Sequence, residues 1–237
     1  MTSHFKALFV KSIGASFLLL SAGVALATPC GSVSSPTTCS VTVGGSNELT
    51  YTFTDFAFLN TAQTGTGPLY QAGDVLINVA SGGGLSGIVS FSKNPNGPTP
   101  GIVSAANAGE SSGITFSYTL TLTANVPGSA SLISMTNSIQ SSNLGNGIGA
   151  DQLILSPVNC LATTITPSQV CALSGGTTAS AGNILTVTGN TGNASIGTVN
   201  NLFNATFTPD TSGVPEPATY GLIGAGLLAL RFLKRRV

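Results

Sequence analysis

Through the middle of the chain, apolar and polar residues alternate with a period of two. In "ITFSYTLTLT", Ile114, Phe116, Tyr118, Leu120 and Leu122 are separated by Thr115, Ser117, Thr119, Thr121 and Thr123. A strand turns successive side chains to opposite faces, so this pattern predicts one apolar face and one face of small hydroxyls. "LTYTFT" repeats it with Leu49, Tyr51 and Phe53, and then the phase slips at Asp55, because Phe56 and Phe58 take even positions. A slip of one residue within a strand predicts a bulge or bend near Asp55.

Shorter segments obey the same rule: 40–43, 74–80, 88–92, 131–135, 152–156, 184–188 and 202–208. Between them stand Gly-, Asn- and Pro-rich pieces such as "KNPNGPTPG" and "SNLGNGIGA", which read as turns. No part of the body carries a sustained helical stripe. Many short strands joined by turns predict an all-β fold, a single antiparallel β-sandwich of the jelly-roll or immunoglobulin-like class. "GGGLSG" at Gly82–Gly87 satisfies G-x-G-x-x-G, but β-like sequence follows it where a dinucleotide site needs a helix. It reads as a glycine hairpin or loop.

The ends differ from this body. Lys6 and Lys11 precede an apolar stretch from Ile13 to Leu26 that closes on Ala25-Leu26-Ala27. This is the layout of a secretory signal peptide, with cleavage by signal peptidase expected between Ala27 and Thr28. The expected organisation is therefore a signal peptide at 1–27, a β-sandwich at 28–207, a linker at 208–214 and a terminal apolar, basic segment at 215–237.

Charge is segregated along this plan. The whole chain sums to zero, but residues 28–217 hold all seven acids against Lys93 alone, a net of −6. An acidic body without Arg cannot form the basic patch that nucleic acid requires, so no nucleic-acid partner is expected. The same segment has neither His nor Trp, since His4 leaves with the signal peptide. Imidazole-based nucleophilic catalysis and imidazole-ligated metals are excluded with it. The expectation is a non-enzymatic protein.

The remaining candidate chemistry is sparse. Cys30, Cys39, Cys160 and Cys171 make an even count in an exported chain, which predicts two disulfides. Three pairings exist. Cys30 with Cys39 and Cys160 with Cys171 is favoured, because each closes a polar, Pro-containing loop that could be stapled at a sheet edge. Asp74 and Glu110, both beside turns, are the carboxylates that a glycan hydrolase would need to bring together. No cofactor is expected. Calcium, which takes oxygen ligands, is the minority reading, with Asp55, Asp151 and Asp210 as candidate donors. Tyr70, in the loop "GPLYQAGD", is the aromatic best placed for a carbohydrate contact.

The chain ends in "VPEPATYGLIGAGLLALRFLKRRV". Thirteen uncharged residues from Ala218 to Leu230 span about 20 Å as a helix, short of the ~30 Å hydrocarbon core. The basic finish suits a cytoplasmic C-terminus. With the signal peptide in front, Val214-Pro215-Glu216-Pro217-Ala218, the apolar run and the basic end together resemble the PEP-CTERM sorting signal. Proteins with that signal are exported by Gram-negative bacteria, usually ones that make exopolysaccharide. The resemblance implies that Pro215, Glu216 and Pro217 form the recognised triplet, and that Arg231, Lys234, Arg235 and Arg236 form the retention tail. It implies a short transmembrane helix that holds the precursor in the inner membrane until an exosortase, a membrane-embedded cysteine transpeptidase-like enzyme, cuts near the triplet. The product would reside at the cell surface or in the extracellular matrix, with exopolysaccharide as a partner. "RFLKRR" splits the basic cluster with two apolar residues. The resemblance covers about 24 of 237 residues and leaves the body's role between two classes: a structural matrix protein, or a carbohydrate-binding module or paired-carboxylate hydrolase.

Overall fold

The computed structural model describes residues 27–34, 38–64, 71–97, 101–143, 147–210, 221–223 and 225. Among these, alternation is realised as thirteen strands. They are β1 (Thr28–Ser32), β2 (Cys39–Val43), β3 (Leu49–Thr64), β4 (Val75–Gly83), β5 (Ser86–Lys93), β6 (Val103–Ala105) and β7 (Ser111–Ala124) in the first half. The second half adds β8 (Gly128–Asn143), β9 (Ile148–Leu155), β10 (Val158–Thr163), β11 (Ser168–Ala172), β12 (Thr178–Thr188) and β13 (Ala194–Pro209). They form two sheets. The first runs β1-β4-β5-β13-β8-β11, with β6 also paired to β13, and the second runs β10-β9-β12-β7-β3-β2. The chain is an all-β sandwich of antiparallel sheets, as its periodicity predicts.

Each sheet turns its apolar phase inward. Leu49, Tyr51 and Phe53 of β3 and Ile114, Phe116, Tyr118, Leu120 and Leu122 of β7 are buried, facing Ile77 of β4, Phe91 of β5 and Phe203 of β13. Aromatic rings lock the layers together: Phe91 lies 4.0 Å from Phe116 and 5.6 Å from Tyr118 between ring centroids, and Phe53 contacts both Tyr118 and Phe203. Burying one such side chain stabilises the fold by roughly 1.5–3 kcal/mol, so this cluster is its main support.

The phase slip in β3 is a bulge. Pairing with β7 breaks between Thr54 and Ala57, and Asp55 sits there at φ 54°. Asp tolerates the left-handed region better than most residues. The bulge lets Phe56 reach the core although Phe53 already points there.

"GGGLSG" is the β4–β5 hairpin. Gly83 and Gly84 take positive φ at its tip. Gly87 serves close approach, because a Cβ there would come within 2.6 Å of the Tyr51 ring. The Tyr51 hydroxyl donates to the Leu85 carbonyl at 2.6 Å, fixing the hairpin over the ring.

Both favoured disulfides are formed, Cys30–Cys39 with Cα atoms 5.7 Å apart and Cys160–Cys171 with 5.8 Å. They do more than staple loops. β1 and β11 are the edges of the first sheet, and β2 and β10 are the edges of the second. Each disulfide therefore crosses from one sheet's edge to the other's, one on each flank of the sandwich.

Two details lie beyond the alternation pattern. The last strand, expected over 202–208, runs from Ala194 to Pro209, with Thr208 paired to Ser129 and Pro209 to Gly128. Asp151, a candidate calcium ligand, lies inside β9 and is fully buried. It shares the inward phase of Leu153 and Leu155.

Candidate functional site

Two polar arrangements stand out, one outside and one inside. The first is the outer face of the second sheet. Strand register lines up Ser40, Thr52, Thr121 and Thr178 in one row across β2, β3, β7 and β12. Thr42, Thr50 and Thr123 form the row on one side, and Thr54, Thr119 and Ser180 the row on the other. Strand geometry spaces such hydroxyls about 4.8 Å apart across the sheet and about 6.8 Å along it. All ten residues are exposed or half-buried. Thr42 and Thr50 hydroxyls stand 3.1 Å apart, and Thr50 donates to Asn125 at 3.2 Å. Asp55, at the bulge, accepts from Thr54 at 2.9 Å. The field can make many hydrogen bonds, each weak in water, to an uncharged surface that is itself rich in hydroxyls.

The second arrangement lies in the core. Asn183 of β12 donates its amide to both carboxylate oxygens of Asp151, at 3.1 and 2.9 Å. Asn201 of β13 donates to the Asn183 carbonyl oxygen at 2.6 Å and to the Tyr118 hydroxyl at 2.8 Å. Asn137 of β8, directly opposite Asn201, donates across to the main-chain oxygens of Asp151 at 2.8 Å and Cys160 at 3.0 Å. Its own Oδ1 is buried without a hydrogen-bond partner. Burial pushes the Asp151 carboxyl up to about 7, against the opposing pull of the Asn183 and Asn137 amides. Burial likewise raises the Tyr118 phenol, which Asn201 opposes and the Asp151 charge reinforces. The cluster ties both sheets together and is sealed from solvent, so it offers no surface to a substrate.

Sequence reasoning named Asp151 but missed its partners. A signal was present: Asn137, Asp151, Asn183 and Asn201 each occupy the inward phase of a strand, between apolar neighbours such as Met135 and Ile139. A polar residue in that phase must find a partner inside.

The other candidate acids each make local contacts. Asp74 accepts from the Gln71 N–H at 3.0 Å in a single turn of 3-10 helix before β4. Glu110 accepts from the N–H groups of Ala106 and Asn107 at 3.1 and 3.0 Å. Each carboxylate closes its own loop. Asp210 donates its N–H to the Pro127 carbonyl at the exit of β13. Asp55, Asp151 and Asp210 do not converge, and among the described residues no three His, Cys, Asp or Glu side chains are placed to hold a metal. Thr28 opens β1 and Ala27 precedes it. Ala25, Tyr70, Pro215, Glu216, Pro217, Arg231, Lys234, Arg235 and Arg236 lie outside the described residues.

One cleft of about 300 Å³ lies at the end of the sandwich, lined by Leu132, Leu155, Pro157, Leu173 and Thr178 among others. It holds no titratable group.

The terminal segment is where comparison with known proteins is informative. Residues 213–236 match the family model of the PEP-CTERM protein-sorting motif. The chain carries a PEP-CTERM sorting motif. No curated protein matches the chain. The PEP-CTERM motif marks an exported protein that is anchored transiently in the membrane and processed by an exosortase-type enzyme. Residues 221–223 and 225 of this motif are helical, and Leu222 and Ile223 are exposed. Among the described residues no helix is long and apolar enough to cross a membrane.

Proposed function

We propose that the sandwich is a non-enzymatic protein of the bacterial surface or exopolysaccharide matrix, and that it contacts polysaccharide through the hydroxyl field on its second sheet. One observation carries this reading: ten Ser and Thr side chains aligned in register on a sheet face. A neutral polysaccharide offers hydroxyls of the same kind at comparable spacing. Its affinity for such a face comes from many shallow hydrogen bonds rather than one deep pocket. The sorting motif supports the reading by delivering the protein out of the cytoplasm.

The test is co-sedimentation with purified exopolysaccharide. Thr52→Val and Thr121→Val together keep β-branched shape while removing two central hydroxyls. The double variant is expected to bind at least several-fold more weakly than the wild type; equal binding overturns the assignment of this face. The non-enzymatic half is tested separately. Polysaccharide cleavage that disappears in Asp74→Asn or Glu110→Gln favours the hydrolase reading instead, and binding that is lost only in Tyr70→Ala moves the contact to that loop. Intact-mass measurement of the protein from each cell fraction tests processing. A surface-recovered chain that still contains residues 218–237 counts against release by cleavage.

A further inference from the structure

We propose that the free edge of the first sheet, β11, is a self-association surface that pairs with β11 of a second copy of this chain. The argument starts from backbone bonding. Ile139 donates its N–H to the Pro167 carbonyl at one end of β11, and Leu173 donates to the Ile133 carbonyl at the other. In antiparallel pairing, bonded and non-bonded residues alternate along a strand. With β8 opposite in unbroken register, Gln169 and Cys171 bond to β8, and Ser168, Val170 and Ala172 turn their N–H and C=O groups to the open edge, where the Val170 carbonyl accepts from the Gln169 side-chain amide at 3.3 Å. No strand occupies that side among the described residues.

Natural edge strands are usually blunted by charges, proline or bulges. The opposite edge, β1, has both proline and a bulge: Pro29 lies within it and its register shifts between Pro29 and Gly31. β11, "SQVCA", has no charge, no proline and no register break. Apolar side chains collect beside it: Val170 is 62 % exposed, Ile165 83 % and Leu161 50 %. The Cys160–Cys171 disulfide pins the strand from behind, so little ordering is needed when a partner arrives.

A second copy fits this edge because the strand is self-complementary. A two-fold axis through Val170 places Val170 against Val170 and Ser168 against Ala172, with no like charges opposed. Once the exposed Gln169 amide swings off the Val170 carbonyl, the three outward residues of each copy complete about six backbone hydrogen bonds. The edge alone is small for a stable dimer, so the association is a reversible one suited to a crowded matrix. It does not depend on which ligand the hydroxyl field takes.

Sedimentation velocity of the purified full chain in mild detergent tests the proposal. The wild type is expected to shift toward dimer as concentration rises. Val170→Lys and Val170→Glu, at an exposed side chain, should each raise the apparent dissociation constant at least about ten-fold by opposing like charges at the axis. An equimolar mixture of the two should regain association, because only a partner contributing residue 170 opposite residue 170 is rescued that way. Unchanged thermal melting confirms that both variants are folded. A wild type that is monomeric throughout, charged variants that associate like the wild type, or a mixture that is not rescued each overturn the proposal. A photo-activatable cross-linker at position 170 in intact cells supplies a second readout. A cross-link to a second copy supports the pairing, and a cross-link only to another protein overturns it.

Discussion

Stability should fall as pH rises from about 4 to about 7, opposite to the usual behaviour of a protein held by surface carboxylates. The cause is Asp151, fully buried, with its carboxyl raised from 3.8 to about 7. In the unfolded chain the group loses its proton near pH 4, whereas in the folded chain it keeps it until near pH 7. Between those values the folded state binds more protons, so each added pH unit costs about 1.4 kcal/mol of stability. Across the window the loss is about 4 kcal/mol, and it levels off above pH 7 where both states are ionised. For a domain of this size that corresponds to a melting temperature roughly 8–16 °C lower at pH 8 than at pH 4. The proton also supplies a donor to a cluster in which Asn137 Oδ1 lacks one. Asp151→Asn removes the buried charge with little change of shape. It should melt close to the wild type at pH 4, exceed it at pH 8 and show a much flatter pH profile. The assay is thermal denaturation followed by circular dichroism from pH 4 to 8 at constant ionic strength. A wild-type profile that is flat or rises across the window, or an Asn variant that keeps the wild-type slope, would refute the reasoning.

Three further outcomes can be checked by equilibrium denaturation with intact disulfides unless stated. Replacing Cys160 and Cys171 together by Ala should cost about 3 kcal/mol, since the bridge closes a loop of about a dozen residues; no loss would mean that the cross-sheet staple contributes little to stability. Tyr118→Phe removes an acceptor of the Asn201 amide inside the core and should cost roughly 1–3 kcal/mol, with Asn201→Leu checked alongside as a variant that removes the donor as well. Phe203→Ala empties a fully buried site beside Phe53 and Tyr118 and should cost about 3–5 kcal/mol, the largest single effect among these substitutions.

The polar cluster and the disulfides illustrate how far local sequence reaches. Period-two alternation is a property of neighbours, and it predicted β3, β7 and most other long strands, the bulge at Asp55 and the hairpin within "GGGLSG". It did not reveal β1, β6, β10 or β11. These are short, and three of them lie at sheet edges, where both faces of "TPCGS" and "SQVCA" are partly solvated and "VNCLAT" buries only Cys160 and Ala162, so alternation carries little signal. The cysteine pairing was favoured because each bridge closes a polar, Pro-containing loop, yet its role as a bridge between sheets follows only from which strands become edges. The hydroxyls of "TYTFT" and "TLTLT" were visible as one polar phase, whereas their assembly into rows required the β3–β7 register.

By itself, then, the sequence determined the all-β class, the composition of the two faces of each long strand, the segregation of charge and the terminal sorting motif, because each is written in residues close along the chain. Tertiary structure alone decided what meets what. Asn201 reaches Tyr118 across 83 positions and Asp151 meets Asn183 across 32. Such contacts are set by the order in which strands pair and by the stacking of two sheets, which no local period encodes.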